Sequence, residues 1–209
     1  MGIPVLIIGK SGSGKSTSLR NFESDEIGLI NVSRKPLPFR KKFTSTLMTD
    51  CYDKILDAIQ STEKQSIVID DAGYLIVNMF MRGHSSHKGN SIFGFYNKLA
   101  DEFWNLTEKI KDLDESKIVY LIMHEDVTEF GDIKPKTIGK KLDQHVCVEG
   151  LFTICLRAIR SNDGEYIFQT QGDIYSPAKT PFGMFESMNI PNDLKQVDEA
   201  IRQYYEMEV

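Results

Sequence analysis

The sequence predicts an α/β fold in which a mainly parallel sheet carries helices on both faces and ends in an antiparallel hairpin. Three observations predict it. Short apolar, β-branched runs at 3–8, 27–32, 66–69 and 117–123 show no polar alternation, as strands covered on both faces require. Segments with apolar residues at helical spacing stand between several of these runs, the alternation from which parallel sheets are built. The C-terminal third instead offers two neighbouring strands around Ser161-Asn162-Asp163-Gly164, a favourable hairpin turn.

At 209 residues the chain has room for one such domain, read as 1–209 with a core over about 1–188 and a closing helix over about 192–207. A net charge of −5 argues against a protein that coats nucleic acid with its whole surface, though not against a local basic groove. Cys51, Cys147 and Cys155 show no metal or CxxC spacing and read as thiols of a reducing compartment. No apolar run reaches the length of a membrane span. The first strand starts so close to Met1 that a cleaved leader would carry it off, so a cytoplasmic protein is expected.

Taken in order, the first strand runs into Gly9-Lys10-Ser11-Gly12-Ser13-Gly14-Lys15-Ser16, which fills every fixed position of G-x-x-x-x-G-K-[ST]. Gly9, Gly12 and Gly14 let the backbone take positive φ and approach an anion closely. The amides of Ser11, Ser13 and their neighbours then converge on one concavity, at the positive end of a helix opening over 16–22. Lys15 is expected to reach β- and γ-phosphates, and the Ser16 hydroxyl to ligate Mg²⁺. Thr17 completes the phosphate-contacting set and is the less expected metal ligand, because the motif puts its hydroxyl directly after the lysine. A chance Gly/Ser-rich turn is the alternative, and the strand before and helix after weigh against it.

A second strand over 27–32 leads to Arg34-Lys35-Pro36-Leu37-Pro38-Phe39-Arg40-Lys41-Lys42, with five basic residues and no acid. It reads either as a solvated loop or as a phosphate-backbone contact. Residues 50–60 suit a helix with Ile55, Leu56 and Ile59 on one side. The strand at 66–71 ends in Asp70 and Asp71. Mg²⁺ uses few protein carboxylates, and an aspartate ending an apolar strand beside the loop hydroxyl is where one is needed, so Asp70 is its expected ligand. Asp71 either orients the attacking water or caps a helix over 72–81. A polar loop at 82–90 follows. Ile92, Tyr96, Leu99, Phe103, Leu106, Ile110 and Leu113 then mark the clearest helix, packed on the sheet or, less expected, in a coiled-coil seam.

The strand at 117–123 ends at His124-Glu125-Asp126. Ligands of such sheets bind at the carboxyl ends of strands, which brings His124 to the phosphate loop and Asp70. His124 is expected at a γ-phosphate or the attacking water, the alternative being a histidine satisfied by a loop carbonyl. Glu125 rivals Asp71 as the carboxylate that activates water. After a loop at 131–137, strands at about 151–159 and 165–171 form the hairpin. Arg157, Arg160 and Lys179 are candidates to reach a neighbouring subunit's nucleotide, or are exposed charges. Asn192 or Asp193 caps a last helix with Leu194, Val197, Ile201 and Tyr204 on one face.

Together, Gly9–Thr17, Ser66–Asp71, the strand ending at His124, Lys136–Leu142 and Ala178–Gly183 resemble phage-encoded ATPases: P-loop NTPases with a RecA-like or AAA-type core, some associated with single-strand annealing and recombination. The resemblance implies that Lys15, Ser16 and Asp70 hold ATP and Mg²⁺, that His124 senses the γ-phosphate, and that Lys179 acts in trans. RecA-like enzymes commonly place a glutamate after the second strand. Here the sequence reads Asn31-Val32-Ser33-Arg34, so Asp71 or Glu125 serves instead, or turnover is slow.

The expectation is an oligomeric Mg-dependent ATPase of the host cytoplasm whose nucleotide state controls binding of single-stranded DNA or of a replication or recombination protein. The DNA contacts would be 34–42, where Phe39 and Phe43 can stack, and Lys134, Lys136, Lys140 and Lys141. A small-molecule kinase is the second reading, weakened by the lack of an arginine-rich lid. A nucleotide-gated binding protein without appreciable turnover is the third.

Overall fold

In the computed structural model, residues 1–139, 143 and 146–207 are described. The elements are β1 (Ile3–Gly9), β2 (Ile27–Asn31), β3 (Ser45–Leu47), α1 (Tyr52–Ser61), β4 (Ser66–Asp70), α2 (Gly73–Gly83), α3 (Ser91–Lys111), β5 (Ile118–Val127), β6 (Ile133–Pro135), β7 (Ile154–Arg160), β8 (Tyr166–Gln169), β9 (Asn189–Pro191) and α4 (Leu194–Tyr204). Among the described residues the strands form one sheet in the order β3-β2-β4-β5-β1-β7-β8-β9, with β6 paired to β5. Pairing is parallel from β3 to β7 and antiparallel along β7-β8-β9. The expected α/β architecture is therefore present: the sheet is mainly parallel, and its C-terminal edge is antiparallel.

The lack of alternation in the strand runs has a direct cause. Leu6 and Ile8 pack under α1, α2 and α3, whereas Val5 and Ile7 pack with Leu19 and α4 on the other face. All four are fully buried, so neither side of β1 meets water. Register then sets the site. Gly9 lies beside His124 on one neighbour and Ala158 on the other, and Asn31 lies beside Asp70. These positions share the carboxyl edge of the sheet.

α4 is fixed at the other end by a buried polar cluster. Asp198 accepts from Ser66 Oγ at 2.6 Å, Tyr120 Oη at 2.7 Å and Arg202 Nε at 2.8 Å. Arg202 also donates to the Ser116 carbonyl at 3.0 Å. Every group in the cluster has a partner, the condition under which buried polarity stabilises.

Several boundaries differ from the sequence reading. The helix expected after the phosphate loop is a 3₁₀ stretch of six residues, Ser16–Asn21. Ser18 turns its hydroxyl onto the Lys15 carbonyl at 2.6 Å, competing with regular helical bonding, and the chain leaves at the buried Phe22. β5 does not stop at His124 but runs to Val127, because Glu125, Asp126 and Val127 find antiparallel partners in β6. The 82–90 loop is partly absorbed by α2 and a turn at His84–Ser86. α3 packs against α1, α2 and β1 rather than in a coiled coil. Asp193, not Asn192, caps α4, accepting from the Lys195 amide at 3.1 Å. Tyr204 lies off the buried face of α4. No helix among the described residues is long and apolar enough to cross a membrane.

Candidate nucleotide site

The end of β1 has no space for side chains. A Cβ on Gly9 would lie 2.5 Å from Ser13 Oγ and 2.6 Å from the Ala158 carbonyl oxygen. Gly12 and Gly14 take φ of 77° and 91°, the left-handed region open to glycine. The loop curls around Lys15, whose buried ammonium donates to the carbonyls of Gly9 at 2.8 Å and Lys10 at 2.7 Å. Burial lowers its pKa to about 8, against the pull of Asp71, Asp70 and Glu125. Ser13 departs from the expected phosphate set. Its amide closes the loop onto the Lys10 carbonyl at 3.2 Å, and its buried hydroxyl lies back against Gly9, so neither faces the cavity.

Ser16 Oγ donates to Asp70 Oδ1 at 2.8 Å. Two oxygens at neighbouring corners of an octahedron of about 2.1 Å radius lie about 3 Å apart, so the pair fits a Mg²⁺ ion. Burial pushes the Asp70 carboxyl up to about 6, a cost that a bound cation relieves. Asp71 has φ of 59°, and its carboxylate does not cap α2, whose preceding residue Ala72 lacks any side-chain cap. It faces His124 Nε2 at 3.6 Å and Lys35 Nζ at 3.5 Å. The His124 pKa is lowered, first by burial and then by Lys15, outweighing Asp71. The Tyr74 ring stands nearly perpendicular to the imidazole, with centroids 6.1 Å apart.

Glu125 is differently placed from Asp71. The Arg157 guanidinium holds both its oxygens, with Nε at 2.8 Å and Nη2 at 3.0 Å. Arg157, a candidate to reach a neighbour, is thereby committed within its own chain. Arg160 lies over the Tyr166 ring, 5.6 Å from its centroid. Lys179 pairs in antiparallel fashion with Cys155, deeper along β7, and does not line the cavity.

A cavity of about 1010 Å³ brings the remaining groups together. Ser11, Gly12, Gly14, Lys15, Ser16 and Thr17 form one wall, and Asp70, Asp71, His124 and Glu125 another. Lys35 and Lys136, read from the sequence as strand-contacting cations, also line it, as do Tyr74 and Tyr166, which carry no motif signal. Tyr166 reaches the loop only because β8 folds back. A Cβ on Gly14 would lie 2.7 Å from its ring.

Three cations of the basic 34–42 segment have partners within the chain. Arg34 pairs with Asp50 at 3.8 Å, Lys35 with Asp71, and Lys41 donates to the Arg20 carbonyl at 2.9 Å. Phe43 is buried and meets Phe39 edge-on at 6.4 Å, which removes it as a stacking platform. Arg40 and Lys42 remain exposed. Lys134 is paired with Asp143 and Lys136 lines the cavity, whereas Lys140 and Lys141 lie outside the described residues.

A family model described as an AAA domain matches residues 1–182. No curated protein matches the sequence. Among solved structures, the X-ray structure of the Legionella pneumophila ATPase DotB aligns with 99% of this chain and 53% of its own, at 11% identity and a TM-score of 0.38. The chain thus spans about half the length of that structure.

Proposed function

The chain belongs to the AAA domain family, and from that premise we propose that it is a Mg-dependent ATPase whose site is the cavity around Lys15. The observation that carries this reading is the convergence of Lys15, Ser16 and Asp70 from two strands on one concavity. When held by Ser16 and Asp70, Mg²⁺ supplies charge neutralisation at the phosphate oxygens. Lys15 exchanges its two carbonyl partners for phosphate oxygens, which bear the charge that the carbonyls lack. Asp71 takes the water-orienting role in preference to Glu125, because the Arg157 fork occupies both Glu125 oxygens. Water oxygen bonds to the γ-phosphorus, the bond to the bridging oxygen breaks, and Asp71 accepts the proton. His124 hydrogen-bonds the same region as a neutral imidazole.

Single-stranded DNA is the client in this proposal, on narrower support. Arg40 and Lys42 are exposed on the segment whose Lys35, Pro36 and Pro38 line the cavity, so strand contact and nucleotide state share one stretch of chain. Self-assembly completes the reading. Lys179 lies away from its own chain's cavity, and is offered as the cation that a neighbouring copy receives.

The test measures ATP hydrolysis with and without single-stranded DNA at two salt concentrations, alongside sedimentation. Stimulation that fades with salt supports strand contact. Hydrolysis indifferent to DNA, with no change in assembly, removes the DNA part. Lys15→Ala protein that still hydrolyses ATP removes the whole reading.

A further inference from the structure

We propose that Lys35 is the residue that distinguishes a nucleoside triphosphate from a diphosphate, by passing from Asp71 to the terminal phosphate. The inference rests on the nucleotide site proposed above.

A terminal phosphate brings charge that the loop lysine alone does not match, and a positioned cation there stabilises the transferring group. Two of the cations suggested by the sequence are not available within the chain. Arg157 is locked to Glu125, and Lys179 lies outside the cavity. Lys35 stands at the Asp71–His124 corner, and its charge acts on His124 more strongly than that of Lys136, the other cation beyond the loop on this wall.

Its attachments suit a transfer. The side chain is 60% exposed, and the ammonium stands 3.5 Å from Asp71 Oδ2, beyond hydrogen-bond range. It also lies over the Tyr74 ring, 4.9 Å from the centroid. Exposed ion pairs and cation–π contacts are weak, so a phosphate oxygen outcompetes both. The backbone beneath is fixed. Buried Asn31 donates its side-chain amide to the Lys35 carbonyl at 2.7 Å, and Pro36 restricts the backbone of Lys35, the residue before it. A held stem with a loosely held charged tip can reach a new partner without refolding the loop.

The strap continues across the site. Pro36 and Pro38 line the cavity, and Lys41 ends the crossing on the Arg20 and Phe22 carbonyls, where the 3₁₀ stretch after the phosphate loop closes. Lys35 therefore carries the terminal-phosphate contact on the segment that also presents Arg40 and Lys42 outward.

The test is calorimetry with Mg²⁺ and either ADP or the β,γ-imido analogue of ATP, on wild type, Lys35→Ala, Lys35→Arg and Lys15→Ala. Lys35→Ala should lose about tenfold in affinity for the triphosphate analogue and less than about twofold for ADP, as one charge-assisted contact implies. Lys35→Arg should recover most of the loss. Equal losses for both nucleotides, or no loss for either, overturn the role of Lys35 while leaving the site intact. Wild type that binds neither nucleotide, or Lys15→Ala that binds both normally, overturns the nucleotide site itself.

Discussion

Ser16 and Asp70 stand 54 positions apart in the chain, yet the serine hydroxyl donates to the aspartate at 2.8 Å. The contact exists because β4 is separated from β1 only by β5, which brings the end of one apolar strand beside the loop that follows another. It also places a carboxylate where it is costly to ionise.

Asp70 therefore gives a pH prediction with a definite sign. Its folded pKa of about 6 lies above the ordinary 3.8, so the ionised form is the one that folding disfavours. Stability from this group is complete below the ordinary value and is lost as pH rises through about 6. Without Mg²⁺, Asp70→Asn should raise stability at pH 7.5 by about 2 kcal/mol in urea unfolding, while nearly abolishing Mg·ATP binding. Wild-type Mg·ATP affinity should fall as pH drops through about 6, because protons compete with the metal.

Gly14 faces two separate restrictions. Its φ of 91° disfavours any Cβ, and the Tyr166 ring fills the space one would take. Gly14→Ala should cost about 1–2 kcal/mol and weaken nucleotide binding. Adding Tyr166→Ala should recover only the part due to the ring, and thermal unfolding of the single and double variants separates the two.

Arg157 neutralises a carboxylate that is almost wholly enclosed. Arg157→Ala leaves Glu125 charged and unpaired, with an expected loss of about 3–5 kcal/mol. Replacing both residues by alanine should cost less than the sum of the single changes, because neither charge is then stranded. A double-mutant cycle by chemical denaturation measures the coupling.

Asp198 holds three donors at the far end of the sheet. Asp198→Ala leaves them without their acceptor and should cost about 3 kcal/mol, whereas Tyr120→Phe, which removes one donor, should cost about 1 kcal/mol. Below the unfolding temperature, calorimetry should find Mg·ATP affinity unchanged in both variants.

What the sequence could reveal was set by how local each signal is. The loop from Gly9 to Ser16 and the run ending at Asp70 are continuous in the chain, so their residue types speak for themselves. The extension of β5 beyond His124 is polar and owes its strand form to β6, so the apolar run alone does not reveal it. The pairing of Glu125 with Arg157 joins adjoining regions of β5 and β7 that flank β1, and no spacing rule encodes it. Lys35 reads from the sequence as one of five basic residues, in a solvated loop or against a phosphate backbone, and only the adjacency of β2 and β4 sets it beside Asp71. Asn31 could be read in part: the missing carboxylate after β2 was visible, but not the amide that holds the Lys35 carbonyl in its place.

The position of β1 also bears on how the protein is made. β1 precedes every other strand described, yet it lies in the interior of the sheet, flanked by β5 and by β7, which ends only at Arg160. A ribosome must therefore release the chain through Arg160 before β1 gains both its neighbours. Until then the glycine loop hangs from an apolar strand open on at least one side, the kind of exposed edge that invites pairing with another nascent copy.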